Sequence, residues 1–127
     1  MMGTYITMNK ILLIEDDAII RFGISSFLKL KGFDVIEARN GEIGLQIAKE
    51  QLPSLILCDI NMPKLDGYDV LQELRKDVRT ANLPFIFISA ETCTPSCRRA
   101  LQLGANDFLT KPLNNRELLE AIAIQFN

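Results

Sequence analysis

The stretch LILCDINMPKLDGYDVLQELR, residues 55–75, reads as a strand followed by a helix. Leu55–Cys58 is a short apolar run preceded by Pro53 and closed by the acidic Asp59, the pattern of a buried strand. From Gly67 the period changes. Val70, Leu71 and Leu74 share one face of a helix running to about Asp77, with Asp66-Gly67 as the turn and helix start.

The same unit recurs on either side. Ile11–Ile14, Val35–Ala38, Phe85–Ile88 and Phe108–Thr110 read as further strands, rich in Ile, Leu, Val or Phe and ending at polar or turn residues. Helical spacing fills the intervals. Ala18–Leu30 places Ile20, Ile24, Phe27 and Leu28 on one stripe, with Gly32 where a C-terminal cap belongs. Asn40 can cap a helix reaching about Leu52, which Pro53 ends. Thr94-Pro95 opens a fourth helix that stops at Gly104, and Asn114 opens a fifth through Leu118, Leu119, Ile122 and Phe126. Successive β-α units predict a parallel sheet covered by helices on both faces, and right-handed crossovers leave chiefly an open doubly wound sheet.

Composition narrows the function. The 127 residues suit one domain, and a 48% hydrophobic content can build a core without metal or disulfide staples. Residues 1–9 read as an N-terminal extension and 10–127 as the domain; Met8 is an alternative start to Met1. A net charge of −2 points to neither nucleic acid nor membrane surface, and the longest apolar runs are far too short to span a bilayer. Histidine is absent, which removes histidine triads, zinc sites and general bases together. Three irregularly spaced cysteines do not make a disulfide framework and suggest a reducing cytoplasm. Cys58 is expected to be buried in its strand, facing away from Asp59. Cys93 and Cys97 are expected as unpaired surface thiols at the start of the fourth helix, in preference to a redox pair.

In an open parallel sheet ligands sit beyond the carboxyl ends of the strands, so the residues there carry the functional reading. Glu15, Asp16 and Asp17 follow the first strand, Asp59 and Asn61 the third, Ser89 ends the fourth and Lys111 follows the fifth. Glu15, Asp16 and Asp59 would bring three carboxylates to one sheet edge, an arrangement that needs a cation. Oxygen ligands without His or Cys favour magnesium, for which manganese can substitute, and the Asn61 main-chain carbonyl could add a ligand. A carboxylate there can accept a phosphoryl group, with Lys111 neutralising its oxygens and the Ser89 hydroxyl donating to one. Asp17 reads better as the cap of the first helix than as a metal ligand.

These residues resemble the response-regulator receiver family of two-component signal transduction, chemotaxis regulators included, over essentially the whole chain from Lys10. The matching motifs are ILLIEDD (11–17), LILCDINMPKLDGYDVLQELR (55–75), FISAE (87–91) and GANDFLTKP (104–112), each at the end of an expected strand. The resemblance implies an α/β fold, a single doubly wound five-stranded parallel sheet of order 2-1-3-4-5 with five helices, flavodoxin-like. It makes Asp59 the phosphoacceptor, Asp16 a direct ligand of magnesium, Glu15 one acting through water, and Ser89 and Lys111 the partners of the phosphoryl group. Phe108 takes the place of the switch aromatic; many relatives carry Tyr there, and Phe has no phenolic hydroxyl to bond. Asn61 and Glu91 hold the positions that tune dephosphorylation, in a combination similar to chemotaxis regulators, so the acyl phosphate should last minutes rather than days. The Lys111–Pro112 bond should be cis.

The implied partners are a sensor histidine kinase or phosphotransfer protein as donor and an unidentified target or fused output domain. A phosphorylation-dependent homodimer fits the family; direct nucleic-acid binding and membrane contact are not expected. On this reading the protein is a switch rather than an enzyme, catalysing only its own phosphorylation and dephosphorylation. The rival class is a phosphatase-like enzyme or flavodoxin-like carrier on the same fold. The first lacks its D-x-D spacing, since Ala18 follows Asp16-Asp17, and the acidic loop 15–17 would repel a flavin phosphate. A pseudo-receiver scaffold is disfavoured because every expected group is present.

Overall fold

The computed structural model describes residues 9–90 and 95–126. Each apolar run is a strand and each interval a helix, in the order β1 (Lys10–Ile14), α1 (Ala18–Leu30), β2 (Asp34–Ala38), α2 (Gly41–Gln51), β3 (Leu55–Asp59), α3 (Gly67–Lys76), β4 (Phe85–Ser89), α4 (Pro95–Gln102), β5 (Asp107–Thr110) and α5 (Asn115–Gln125). The expected bounds differ from these by a residue or so, because ladder hydrogen bonds run on into polar neighbours such as Lys10, Asp34 and Asp59. The strands are all parallel in the order β2-β1-β3-β4-β5.

Alternation along the strands divides the core in two. Leu12, Ile14, Ile56, Cys58, Phe85 and Phe87 face one way and pack with Ala48 of α2, Val70, Leu71 and Leu74 of α3 and Ala100 of α4. Ile11, Leu13, Leu55, Leu57, Ile86 and Ile88 face the other and meet Ile24 and Leu28 of α1 and Leu118 and Ile122 of α5. β3 and β4 are buried at every residue, which is why their sequences are continuously apolar up to the final polar group. Each such Leu, Ile or Phe contributes about 1.5–3 kcal/mol relative to exposure.

Side-chain caps set the helix starts. Asp17 accepts from the Ile19 and Ile20 amides at 2.9 and 3.0 Å, Asn40 from Ile43 at 2.8 Å and Asn114 from Glu117 at 3.0 Å. Asp66 and Asp69 form a reciprocal capping box on α3. Gly32 and Gly104, at φ +94° and +104°, take the left-handed conformation just beyond α1 and α4. The proposed Thr94 cap lies outside the described residues. Among the described residues no helix is long and apolar enough to cross a membrane.

The entry to β5 is bolted to its surroundings. Asn106 donates its amide to the Phe85 carbonyl at 2.8 Å and accepts from the Phe85 amide through Oδ1 at 2.9 Å. The Arg75 guanidinium, from α3, reaches the Gly104 carbonyl at 2.9 Å and Asn106 Oδ1 at 3.3 Å.

Gly67 has a steric role that its reading as a helix start did not reveal. Its amide donates to the Ile60 carbonyl at 2.9 Å, and a Cβ on it would lie 2.5 Å from the Asp59 carbonyl and 2.9 Å from the Ile60 Cα. The α3 start therefore rests directly on the backbone that follows β3. Gly67→Ala should lower the unfolding free energy by about 1–3 kcal/mol, read as a reduced urea midpoint at unchanged slope.

Candidate functional site

Strand order reverses between β1 and β3, since β2 lies outside β1 and β4 outside β3. Chains leaving these two strands diverge to opposite faces and open a crevice at their carboxyl ends. Glu15 follows β1, held there by its amide donating to the Ala38 carbonyl of β2 at 3.0 Å. Asp59 ends β3, in register with Ile88 of β4. The crevice thus receives Glu15, Asp16 and Asp59, whose carboxylates place one oxygen each within 4.8 Å of the others. Glu15 and Asp59 are buried and Asp16 is exposed at the mouth.

Lys111 crosses to this cluster from the end of β5. Its Nζ lies 2.9 Å from Glu15 Oε1 and 3.4 Å from Asp59 Oδ1. The turn that carries it contains a cis Lys111–Pro112 bond, and the Lys111 amide donates to the Ser89 carbonyl at 2.7 Å. Ser89 itself is fully buried at the end of β4, opposite Thr110 of β5. Asn61 is exposed in the loop after Asp59, and Phe108 is half-buried against the helix-α4 side of the core.

Burial and mutual repulsion govern the charges. Burial raises the Asp59 pKa above its ordinary value; Lys111 opposes that and Asp16 adds to it. Glu15 is raised chiefly by burial too, with Asp59 reinforcing the shift, while Lys111 and the Asp17 amide work against it. For Lys111, burial disfavours the ammonium, but the bond to Glu15 and the charges of Asp59 and Glu15 outweigh it and raise the pKa. Three carboxylates against one ammonium leave −3 + 1 = −2 in the crevice. Apart from Lys111, Glu15 Oε1 meets no donor among the described residues. An all-oxygen donor set and a charge deficit of two fit a hard divalent cation.

The description "Response regulator receiver domain" matches residues 11–123, nearly the whole chain. The chain belongs to that family. As a receiver it is homologous to the regulators of two-component signalling. A "Probable transcriptional regulator ycf27" of Porphyridium aerugineum is 43% identical over 109 residues, 86% of this chain and 44% of the relative. The "Transcriptional regulatory protein CpxR homolog" of Haemophilus influenzae is 41% identical over 115 residues, 91% of this chain and 49% of the relative. The receiver thus spans about half the length of these curated relatives. Among solved structures, the chemotaxis response regulator CheY4 of Vibrio cholerae superposes with a TM-score of 0.87 at 28% identity, covering 94% of this chain and 99% of that one.

Most of the expected site residues meet at one point. Glu15, Asp16 and Asp59 are in mutual reach, Lys111 pairs with Glu15 and Asp59, and Ser89 adjoins them through the Lys111 amide. Asp17 caps α1, and Ala18 stands two residues beyond Asp16, where a phosphatase of this fold would carry its second acid. Glu91 and Cys93 lie outside the described residues. Cys58 is free and enclosed in β3, where burial pushes its thiol pKa well up. Cys97 corrects an expectation: it is half-buried and disulfide-bonded rather than an unpaired surface thiol. The odd cysteine count argued against a disulfide framework but does not forbid a single bond, and Cys58 is a free thiol. Sequence reasoning also missed Arg21, which donates to the Glu15 carbonyl at 2.8 Å.

A carboxyl whose folded pKa is raised favours folding when protonated, and that contribution is lost as pH rises through the folded pKa. Asp59 is such a group. Asp59→Asn should therefore raise the melting temperature of the metal-free protein near neutral pH by a few degrees, about 1 kcal/mol. The gain should shrink as pH falls toward the ordinary carboxylate range, where Asp59 itself takes up a proton. Calorimetry across pH measures it; a gain constant with pH would contradict the cause given.

Proposed function

We propose that Asp59 is the phosphoacceptor of this receiver, taking a phosphoryl group from a phosphohistidine of a sensor kinase or phosphotransfer protein. One observation carries the reading: a buried aspartate at the strand-order reversal, within 4.8 Å of two further carboxylates and 3.4 Å from a lysine on the fifth strand's exit. An Asp59 Oδ atom attacks phosphorus, the bond from phosphorus to the donor nitrogen breaks, and an acyl phosphate forms. Lys111 exchanges its ion pair with Asp59 for one with a phosphoryl oxygen, and the Ser89 hydroxyl donates to another.

Glu15, Asp16 and Asp59, with the Asn61 main-chain carbonyl, are the residues that would hold magnesium. When bound, the ion would supply the positive charge that lets the phosphoryl oxygens enter a carboxylate-lined crevice. Its fit rests on the charge deficit and on the oxygen-only donor set.

Output follows from the β4–β5 ladder. Ser89 pairs with Thr110 and accepts from the Lys111 amide, so drawing the Ser89 hydroxyl toward the phosphoryl group pulls on β5, which carries Phe108. Phosphorylation then shifts a two-state equilibrium of the α4–β5–α5 face toward the form that binds a target or a second copy. The receiver is a signalling switch, and its catalysis is confined to gaining and losing its own phosphoryl group. The relatives named as transcriptional regulators support an output of that kind in a longer protein.

With acetyl phosphate and magnesium the chain should gain one phosphoryl mass by intact-mass spectrometry, and Asp59→Asn should gain none. Lys111→Ala should slow the gain by about 10²–10³-fold, the scale of losing one charge-stabilising donor. Phosphorylation of the Asp59→Asn chain at the same rate would overturn the assignment. After removal of donor, the modification should decay over minutes; persistence for days would contradict the roles given to Asn61 and Glu91.

A further inference from the structure

The loop after β1 must hold the Glu15 and Asp16 carboxylates toward a common point, although like charges drive them apart. The Glu15 amide is fixed to β2 through the Ala38 carbonyl. Its carbonyl is fixed by Arg21, from the first turn of α1, through a 2.8 Å bond from Nη1. The Arg21 side chain is 19% exposed, so this charge-assisted bond is largely sheltered from water.

Arg21 is itself held from the far side. Its Nε lies 3.4 Å from Glu37 Oε1 on β2, whose other oxygen accepts from the buried Ser25 hydroxyl at 2.9 Å and lies 3.8 Å from Lys29 Nζ. Arg21, Ser25 and Lys29 are four residues apart on α1 and form one polar row. Glu37 shares a strand face with Val35, which packs in the core layer beneath α1. A single carboxylate on the edge strand thus steadies a guanidinium that bonds the peptide joining Glu15 to Asp16.

We propose that Arg21 is a positioning residue for the divalent-cation site, fixing the Glu15–Asp16 peptide so that both carboxylates face Asp59, with Glu37 as its anchor. The proposal rests on the cation reading of the crevice given above. A fork with separate nitrogens is required to serve the carbonyl and Glu37 together; a lysine offers one.

The test is Mn²⁺ binding by the unphosphorylated chain, followed through the paramagnetic resonance signal of free Mn²⁺, with thermal unfolding alongside. Arg21→Ala should raise the Mn²⁺ dissociation constant by about tenfold, the effect expected on losing a residue that orients ligands. Arg21→Lys, which keeps the charge and protects against loss of fold, should fall between it and the native chain. Glu37→Gln should weaken binding less than Arg21→Ala. Ser25→Ala removes a tie between α1 and β2 that reaches Glu15 only through Glu37 and Arg21, and should lower the melting temperature while weakening Mn²⁺ binding no more than Glu37→Gln does. In the metal-free chain, ¹⁵N relaxation should report greater motion of the Asp16 amide in Arg21→Ala.

Native-like affinity in both Arg21 variants would overturn the proposal, as would an equal loss in Ser25→Ala, which would make Arg21 merely part of the α1–β2 packing. A native chain that fails to bind Mn²⁺ at all would instead overturn the cation reading, and this proposal with it.

Discussion

The structure turns on electrostatic crowding at one sheet edge. Glu15, Asp16 and Asp59 are held within 4.8 Å, and Lys111 is the sole ion-pair partner of Glu15 and Asp59 among the described residues. Such an arrangement is unfavourable in isolation, because burial and like charge both work against ionisation. It persists because well-packed elements impose it: two fully buried strands, a capped helix and a lysine-bearing turn enclose Glu15 and Asp59, with Asp16 at the mouth. The tension supplies the chemistry. A carboxylate short of compensating charge is drawn to cations and to reagents that bring them.

The parallel sheet is what allows groups distant in sequence to meet. Residues 15, 59 and 89 are the first polar positions at the ends of three strands, and Lys111 follows Thr110 at the end of a fourth that runs in the same direction. Strand order then selects among them. β1 and β3 flank the reversal, and β4 and β5 follow on one side, so the acidic groups come from the former pair and the hydroxyl and ammonium from the latter.

Much of this could be read from residue patterns. Fully apolar runs such as Leu55–Cys58 and Phe85–Ile88 announce strands buried on both faces, and Asp17, Asn40 and Asn114 announce helix starts that the hydrogen bonds bear out. The carboxylates were legible because polar residues at strand ends have few competing explanations. What stayed hidden depends on three-dimensional approach. Nothing in the order of residues says that Gly67 touches the Asp59 carbonyl, or that Arg21, one charge among many on a helix, turns back to a carbonyl six positions earlier. Cys97 was misread for a similar reason. Counting thiols does not say which of them is bonded, and Cys58, enclosed in the sheet, is free whereas Cys97 is not.

The bolting of β5 at its entry has a mechanical consequence. Asn106, Phe85, Gly104 and Arg75 bond the end of the strand farthest from the crevice, whereas Thr110 and Lys111 at its exit are tied through Ser89 and, from the Lys111 ammonium, through Glu15 and Asp59. A strand clamped at one end and tugged at the other behaves as a lever with a fixed fulcrum. Under such a tug, displacement would grow with distance from Asn106, so the side chains nearest the crevice would travel farthest while the base of the sheet stayed still.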